Sequence, residues 1–161
     1  MIKHIQDSLE LEKIIEWKKW MRIADIGTGG GFPLMPLAIS HPECNFVWID
    51  SVRKKTIAVW EILDELWVKN VEMMRTRIED IKNQTFDLVT ARAVTYADKL
   101  LNRAAPLIRK WWKIALMKQV NDEEKEVLLD VANQKKLVLE EEYNYKLFDW
   151  DIDRVIYILK R

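Results

Sequence analysis

The chain has 161 residues, of which 49% are hydrophobic and 32% charged, and its 26 basic and 26 acidic residues give a formal net charge of zero. This composition is typical of a soluble globular domain and excludes a disordered or fibrous chain. No apolar run approaches the roughly 18 residues that cross a bilayer, and the N-terminus lacks an apolar signal region, so we expect a cytoplasmic protein. The single Cys44 excludes an internal disulfide, and with only two histidines beside it we expect no metal site.

Apolar runs alternate with stretches of helical periodicity, a pattern that predicts repeated strand–helix units and a mostly parallel sheet. Strands are predicted at residues 22–27, 45–50, 71–75, 86–91, 113–118, 136–145 and 154–160. Helices are predicted at residues 33–40, 52–66, 96–109 and 122–134. The last two strands are expected to close the sheet as an antiparallel hairpin. We therefore predict an α/β fold with a seven-stranded sheet, in a single domain over residues 1–161 that begins with a short helical segment at residues 1–20.

The glycines are concentrated at one point of the chain. All four fall within residues 27–31, where the first predicted strand turns into a helix. Glycine in such a turn allows a positive φ and lets backbone amides approach a ligand closely. The dinucleotide fingerprint requires Gly or Ala where this chain has Phe32, which weakens an NAD-dependent oxidoreductase as an alternative. The spacing Gly27, Gly29, Gly31, with Asp25 two residues ahead, instead favours the S-adenosylmethionine (SAM) turn of class I methyltransferases.

Two acidic residues are candidates for the rest of a nucleoside site. Asp50 ends the second predicted strand, 19 residues after Gly31. A carboxylate there can accept hydrogen bonds from the ribose hydroxyls of an adenosine, or it can cap the next helix. Glu79 lies in an acidic run at a predicted helix start, and its spacing alone leaves its role open.

Several further motifs make the chain resemble the RsmG (GidB) family, which methylates N7 of a guanine in 16S rRNA. The segments that carry the resemblance are HIQDS at 4–8, DIGTGGGFP at 25–33, Asp50-Ser51 with Lys54-Lys55, Arg77-Ile78-Glu79, TARA at 90–93, ALMK at 115–118 and RVIYILK at 154–160. The glycine turn alone indicates only a methyltransferase. The combination of GFP, DSxxKK and ARA is specific to this family.

The resemblance implies a Rossmann-like class I methyltransferase fold with SAM as the cofactor. The predicted cofactor-binding residues are Asp25, Gly27, Thr28, Gly29, Gly31, Phe32, Asp50, Ile78, Glu79 and Arg92. Lys54, Lys118 and Arg154 match basic positions of the family and are expected to contact rRNA phosphates. The expected partner is 16S rRNA or the small ribosomal subunit. The alternatives are a methyltransferase of the same fold that acts on another substrate, and a SAM-binding protein without turnover.

Guanine N7 has an available lone pair and no proton to remove. Methyl transfer to it needs in-line alignment and desolvation more than acid–base catalysis. We therefore expect no catalytic general base, and we expect His4 and His41 to be structural. The family carries several helices before the segment at residues 4–8, which this chain reaches almost at once, so those helices are expected to be missing here.

Tryptophan is unusually common in this chain. There are eight Trp and four Gly, whereas average usage of about 7% predicts roughly 11 Gly. Glycine is expected between the predicted elements at positions that hold Trp20, Trp67, Trp111, Trp112 and Trp150. We therefore expect that the source organism reads UGA as glycine and that the printed Trp residues are UGA codons translated as Trp. A lineage that is simply rich in Trp is the alternative.

Overall fold

A computed structural model of the chain describes residues 2–27, 29–92, 97–147 and 152–161, without the side chains of residues 53–56, 97 and 109–111. The strands are β1 (Arg22–Ile26), β2 (Asn45–Ile49), β3 (Val71–Met74), β4 (Phe86–Arg92), β5 (Ile108–Gln119), β6 (Val138–Lys146) and β7 (Asp153–Lys160). The helices are α1 (Ile2–Leu9), α2 (Leu34–Ser40), α3 (Arg53–Glu65), α4 (Ala97–Ala104) and α5 (Asp122–Gln134). Short 3₁₀ turns lie at Glu10–Lys13, Ile78–Asp80 and Ala105–Leu107.

The seven strands form one sheet in the order β3-β2-β1-β4-β5-β7-β6. The first five are parallel to one another, and β7 runs antiparallel to both β5 and β6. This confirms the predicted α/β fold with a mostly parallel sheet and an antiparallel pair at the C-terminal end. Parallel strands place their carboxyl ends at one edge of the sheet, which is where an open α/β fold binds its ligand.

Both faces of the sheet are covered, so the inner strands are buried on each side. On β1, Ile23 packs in one core layer, and Ala24 and Ile26 pack in the other. The first layer also contains Leu34 and Leu37 of α2, and the second contains residues of α4 and α5. Continuously apolar strands are expected where helices cover both faces of a parallel sheet. No helix in the described ranges is long and apolar enough to cross a membrane.

The helix predicted at residues 96–109 is too long. The α-helix ends at Ala104 and a 3₁₀ turn follows over Ala105–Leu107. Pro106 lies in this turn, and proline cannot continue an α-helix because it has no N–H and restricts the residue before it. The chain is already in β5 at Ile108, which is buried and pairs with Phe86 of β4.

The strand predicted at 113–118 begins earlier, and it contains the two tryptophans that were expected in a turn. Ile108 pairs with Phe86 and Lys113 pairs with Leu88, so four residues of β5 lie opposite Asp87 alone. Such a bulge bends the strand and breaks its register. The interruption expected at Trp111 and Trp112 is therefore present, but it is a bulge within β5 and not a turn before it.

Two other tryptophans have the backbone conformation that favours glycine. Trp67 has a φ of 55° and follows the last turn of α3. Its N–H donates to the Asp64 carbonyl at 3.0 Å, and the Val68 N–H donates to the Leu63 carbonyl at 2.9 Å. This is the Schellman pattern, with Trp67 at the position that glycine commonly occupies.

Trp20 has a φ of 71° and is the third residue of a turn before β1. The turn is closed by the Met21 N–H, which donates to the Lys18 carbonyl at 3.1 Å. A positive φ at the third position is typical of a type II turn, which favours glycine there. The side chains of Trp20 and Trp67 are 69% and 77% exposed, so the core does not hold them in place. Trp150 lies outside the described residues.

Candidate cofactor site

A cavity of about 320 Å³ opens at the carboxyl edge of the sheet, beyond β1, β2 and β3. It is lined by Ile26, Gly27, Ile49, Asp50, Ser51, Thr76, Arg77, Ile78, Glu79 and Arg103. Four of the residues predicted to bind a cofactor therefore meet in one place, although they come from three separate parts of the chain. The volume lies within the range of small-molecule sites, about 300–1,000 Å³.

The glycine turn at this edge depends on the absence of side chains. Gly27, Gly29 and Gly31 have φ values of 66°, 60° and 90°, which are all in the left-handed region. A Cβ at Gly31 would clash with three atoms of the Met35 side chain. The first glycine is fixed to the neighbouring strand, because its N–H donates to the Ile49 carbonyl at 3.0 Å. Thr28, another predicted contact, lies outside the described residues.

Asp50 connects the glycine turn to the start of α3. Its Oδ2 accepts the Gly29 N–H at 3.3 Å, and its Oδ1 accepts the Val52 N–H at 2.8 Å. The side chain is nearly buried and still lines the cavity. The two alternatives for Asp50 are therefore compatible, because a carboxylate that bonds the backbone before a helix retains lone pairs for hydroxyl donors.

Asp25 lies beneath the turn. It is fully buried, and its Oδ1 accepts a hydrogen bond from the Thr90 hydroxyl of β4 at 2.7 Å. Asp25 is not among the residues that line the cavity in the described part of the chain. Its described contacts stabilise the ends of β1 and β4.

Phe32 and Arg92 also lie together, but they do not line the cavity. The Arg92 guanidinium carbon is 5.8 Å from the centre of the Phe32 ring, and the His4 ring is 5.4 Å from the same ring. His4 Nδ1 lies 2.6 Å from Nη2 of Arg92. The structure thus places His4 of α1 against Phe32, in the turn before α2, and Arg92, at the end of β4.

A buried charge cluster, the Asp7 cluster, consists of Asp7, Arg92, Tyr145 and Arg154. Asp7 Oδ2 lies 2.6 Å from Nε of Arg92 and 3.2 Å from Nη2 of Arg154, and Asp7 Oδ1 accepts the Tyr145 hydroxyl at 2.6 Å. Nε of Arg92 is buried and makes no hydrogen bond. Its contact with Asp7 is therefore an ion pair in which the N–H does not point at the carboxylate oxygen. Burial and the neighbouring Asp7 raise the pKa of Tyr145, which therefore remains a donor.

The residues expected to contact rRNA differ in accessibility. Arg154 is buried and bonded to Asp7, so its charge is directed inward. Lys118 forms an ion pair with Glu124 of α5. The structure does not describe the Lys54 side chain. All three RNA contacts stay predictions.

Two residues near this edge, Arg103 and Asp7, were not predicted from the sequence. Arg103 of α4 lines the cavity and lies 3.7 Å from Glu79, and its only signal is membership of a basic stretch. Asp7 belongs to a matched family segment, but nothing in its spacing indicates that it pairs with arginines 85 and 147 residues away.

The residues that line the cavity fit an adenosine-containing cofactor. The cavity presents the carboxylates of Asp50 and Glu79, which can accept hydroxyl and amino protons. Apolar walls come from Ile26, Ile49 and Ile78.

A sheet of this strand order with a glycine turn after β1 and an acid at the end of β2 defines a class I SAM-dependent methyltransferase fold. A solved structure of a SAM-dependent methyltransferase from Aquifex aeolicus has the same fold, with a TM-score of 0.77 and 18% identity over 98% of this chain and 91% of that chain. The chain itself belongs to the GidB family, described as rRNA small subunit methyltransferase G, whose family model matches residues 1–148.

Two relatives illustrate the similarity within this family. The ribosomal RNA small subunit methyltransferase G of Chlorobaculum tepidum is 37% identical over 109 residues, which cover 68% of this chain and 50% of that protein. The protein of the same name from Lachnoclostridium phytofermentans is 32% identical over 99% of this chain and 68% of its own length. The chain spans about half the length of several such relatives, from 50% to 54%.

Proposed function

We propose that this chain is a SAM-dependent methyltransferase that transfers a methyl group to N7 of a guanine in 16S rRNA, in the cytoplasm. The observation that carries the proposal is the meeting of the glycine turn, Asp50 and Glu79 around one cavity at the carboxyl edge of the sheet. Membership of the GidB family supports the ribosomal substrate.

In this proposal, three cavity residues have roles that follow from their positions. Asp50 accepts hydrogen bonds from the ribose hydroxyls, and its orientation is fixed by the N–H groups of Gly29 and Val52. Glu79 and the backbone at Ile78 hold the adenine from the opposite side. When bound, SAM supplies an activated methyl group on its sulfonium.

The protein's contribution to transfer is alignment and exclusion of water. Guanine N7 is already an electron-pair donor, so the step requires no proton removal before the new bond forms. Phe32, His4 and Arg92 lie together beside the glycine turn and are proposed to shield that edge from water. The 16S rRNA or the small subunit is the proposed partner, and Lys118 and Lys54 are proposed to contact its phosphates.

The test is methylation of small ribosomal subunits that lack the modification, with labelled SAM and mass-spectrometric mapping of the modified base. We expect one methyl group on a guanine of 16S rRNA. Asp50→Ala is expected to weaken SAM binding about tenfold or more, because a carboxylate acceptor of two hydroxyl groups is lost. Asp130→Ala is the matched control, since Asp130 is an exposed acid of α5 that bonds Gln134.

The alternatives give different results in the same assay. Transfer to another RNA or to a small molecule, with no label in 16S rRNA, would contradict the proposed substrate. Saturable SAM binding without transfer to any acceptor would support a binding protein without turnover. Binding of NADH in place of SAM would contradict the methyltransferase proposal altogether.

A further inference from the structure

The Asp7 cluster links the N-terminal helix to the candidate cofactor site. Asp7 on α1 is fully buried and lies between two guanidinium groups, Arg92 at the end of β4 and Arg154 at the start of β7. A buried carboxylate is stable only when it is paired, and removal of a partner leaves an uncompensated charge. The cluster contains one acid and two arginines, so Asp7 is the group that keeps both cations in place.

Arg92 is fixed from several directions, although its Nε makes no hydrogen bond. Its side chain is 11% exposed, its Nη2 meets His4 at 2.6 Å, and its guanidinium faces the Phe32 ring. The ion pair with Asp7 is the contact that opposes its charge. The same carboxylate also pairs with the buried Arg154, so loss of the Asp7 charge would leave both cations without the acid that they share.

The position of Arg92 along the sheet edge indicates which part of a cofactor it faces. β2, β1 and β4 are neighbours in the sheet. Asp50 follows β2, the glycine turn follows β1, and Arg92 is the last residue of β4. If Asp50 binds the ribose, the amino-acid end of SAM extends past the turn toward β4. That end carries a carboxylate, and guanidinium is the side-chain group best suited to pair with a carboxylate.

We propose that Asp7 is a positioning residue that holds Arg92 beside Phe32, where Arg92 binds the amino-acid carboxylate of the cofactor. The inference rests on the proposed function, because it assumes that SAM binds at this edge. It assigns to α1 a role in cofactor binding, although α1 does not line the cavity itself.

The test compares two ligands that differ only at the end in question. S-adenosylhomocysteine contains the amino-acid end, and 5′-methylthioadenosine lacks it, so their affinities are measured by calorimetry on the full chain. Asp7→Asn is expected to weaken binding of S-adenosylhomocysteine about tenfold and to leave the affinity for 5′-methylthioadenosine unchanged. A purely structural role would weaken both ligands alike, and that result would overturn the proposal.

Tyr145→Phe is the matched control, because it removes another 2.6 Å contact of Asp7 but leaves the carboxylate and both arginines. It is expected to lower the melting temperature without changing the ratio of the two affinities. A change in that ratio equal to the change in Asp7→Asn would overturn the proposal.

A second variant covers the case in which Asp7→Asn does not fold. Arg92→Lys retains a cation for Asp7 but loses the planar fork, and it is expected to show the same selective loss of S-adenosylhomocysteine. Equal losses for both ligands in Arg92→Lys would overturn the proposal. Failure of the wild-type chain to bind either ligand would contradict the proposed function, which distinguishes the two failures.

Discussion

The Thr90 hydroxyl on β4 donates a 2.7 Å hydrogen bond to the Asp25 carboxylate on β1, and both side chains are fully buried. This bond joins the two strands directly below the glycine turn. The turn has three residues with positive φ. The relationship between Thr90 and Asp25 is therefore part of what holds the turn in place.

Replacement of Thr90 by valine tests this support. Thr90→Val leaves Asp25 without this donor in a buried environment, so we expect a loss of about 1–3 kcal/mol in the free energy of unfolding. Urea denaturation measures it. Thr76→Val is the control, because the Thr76 hydroxyl makes only a 3.4 Å contact with the Arg77 carbonyl at the surface, and its effect is expected to stay below about 0.5 kcal/mol.

Substitutions at Trp67 and Trp60 test whether the backbone at Trp67 favours glycine. Trp67 has a positive φ at the end of α3, so Trp67→Gly is expected to stabilise the protein by about 1 kcal/mol. Trp60 lies within α3 and is also exposed, so Trp60→Gly is expected to destabilise it by about 1 kcal/mol. Thermal melts of both variants give the signs, and destabilisation by Trp67→Gly would argue against a glycine at this position.

The gene decides the origin of these tryptophans. If the organism reads UGA as glycine, as we propose, the codons for Trp20 and Trp67 are UGA, and mass spectrometry of the natural protein finds glycine there. UGG codons at both positions would contradict this proposal. The chain would then be rich in Trp and would have two strained backbone positions, at Trp20 and Trp67.

The stability of the protein is expected to fall in mild acid because of His4. Partial desolvation of the largely exposed ring, with help from Arg92, the N-terminal amine and Arg154, lowers the pKa of His4, while Asp7 opposes this change. A folded-state pKa below the unfolded value means that the contribution of His4 is complete above about pH 6.5 and is lost as the pH falls through the folded pKa. Melting temperatures between pH 7.5 and 5 are expected to decrease more for the wild type than for His4→Asn. Parallel pH profiles would contradict this assignment.

Cys44 is expected to be unreactive in the folded protein. It is buried in the core, and burial raises the pKa of its thiol to about 11, with Glu43 adding to the effect. Only the thiolate is nucleophilic, so a thiol-specific disulfide reagent at pH 8 should label Cys44 only after unfolding. Rapid labelling of the native protein would show that the loop before β2 opens.

The fold was more predictable than the arrangement of the site. Strands β1, β2 and β4 could be located because largely apolar runs alternate with stretches of helical periodicity. The end of α4 could not, because the apolar spacing continues beyond Ala104 and only Pro106 signals the change. That Asp50 and Glu79 lie at one edge could be anticipated from the family motifs that contain them, since each follows a strand at that edge, and both line the cavity. The pairing of Asp7 with Arg92 and Arg154 was inaccessible, because it depends on tertiary packing between the first helix and distant strands.

The position of β7 has a consequence for synthesis of the chain. It is the last strand in the sequence, yet it lies between β5 and β6. As the ribosome extends the chain, β5 therefore keeps an open edge until β7 has emerged, and exposed strand edges promote aggregation. Arg154, which completes the contacts of Asp7, arrives with the same strand. The pairing of Asp7 with Arg154 therefore cannot form before the strand that closes the sheet has emerged.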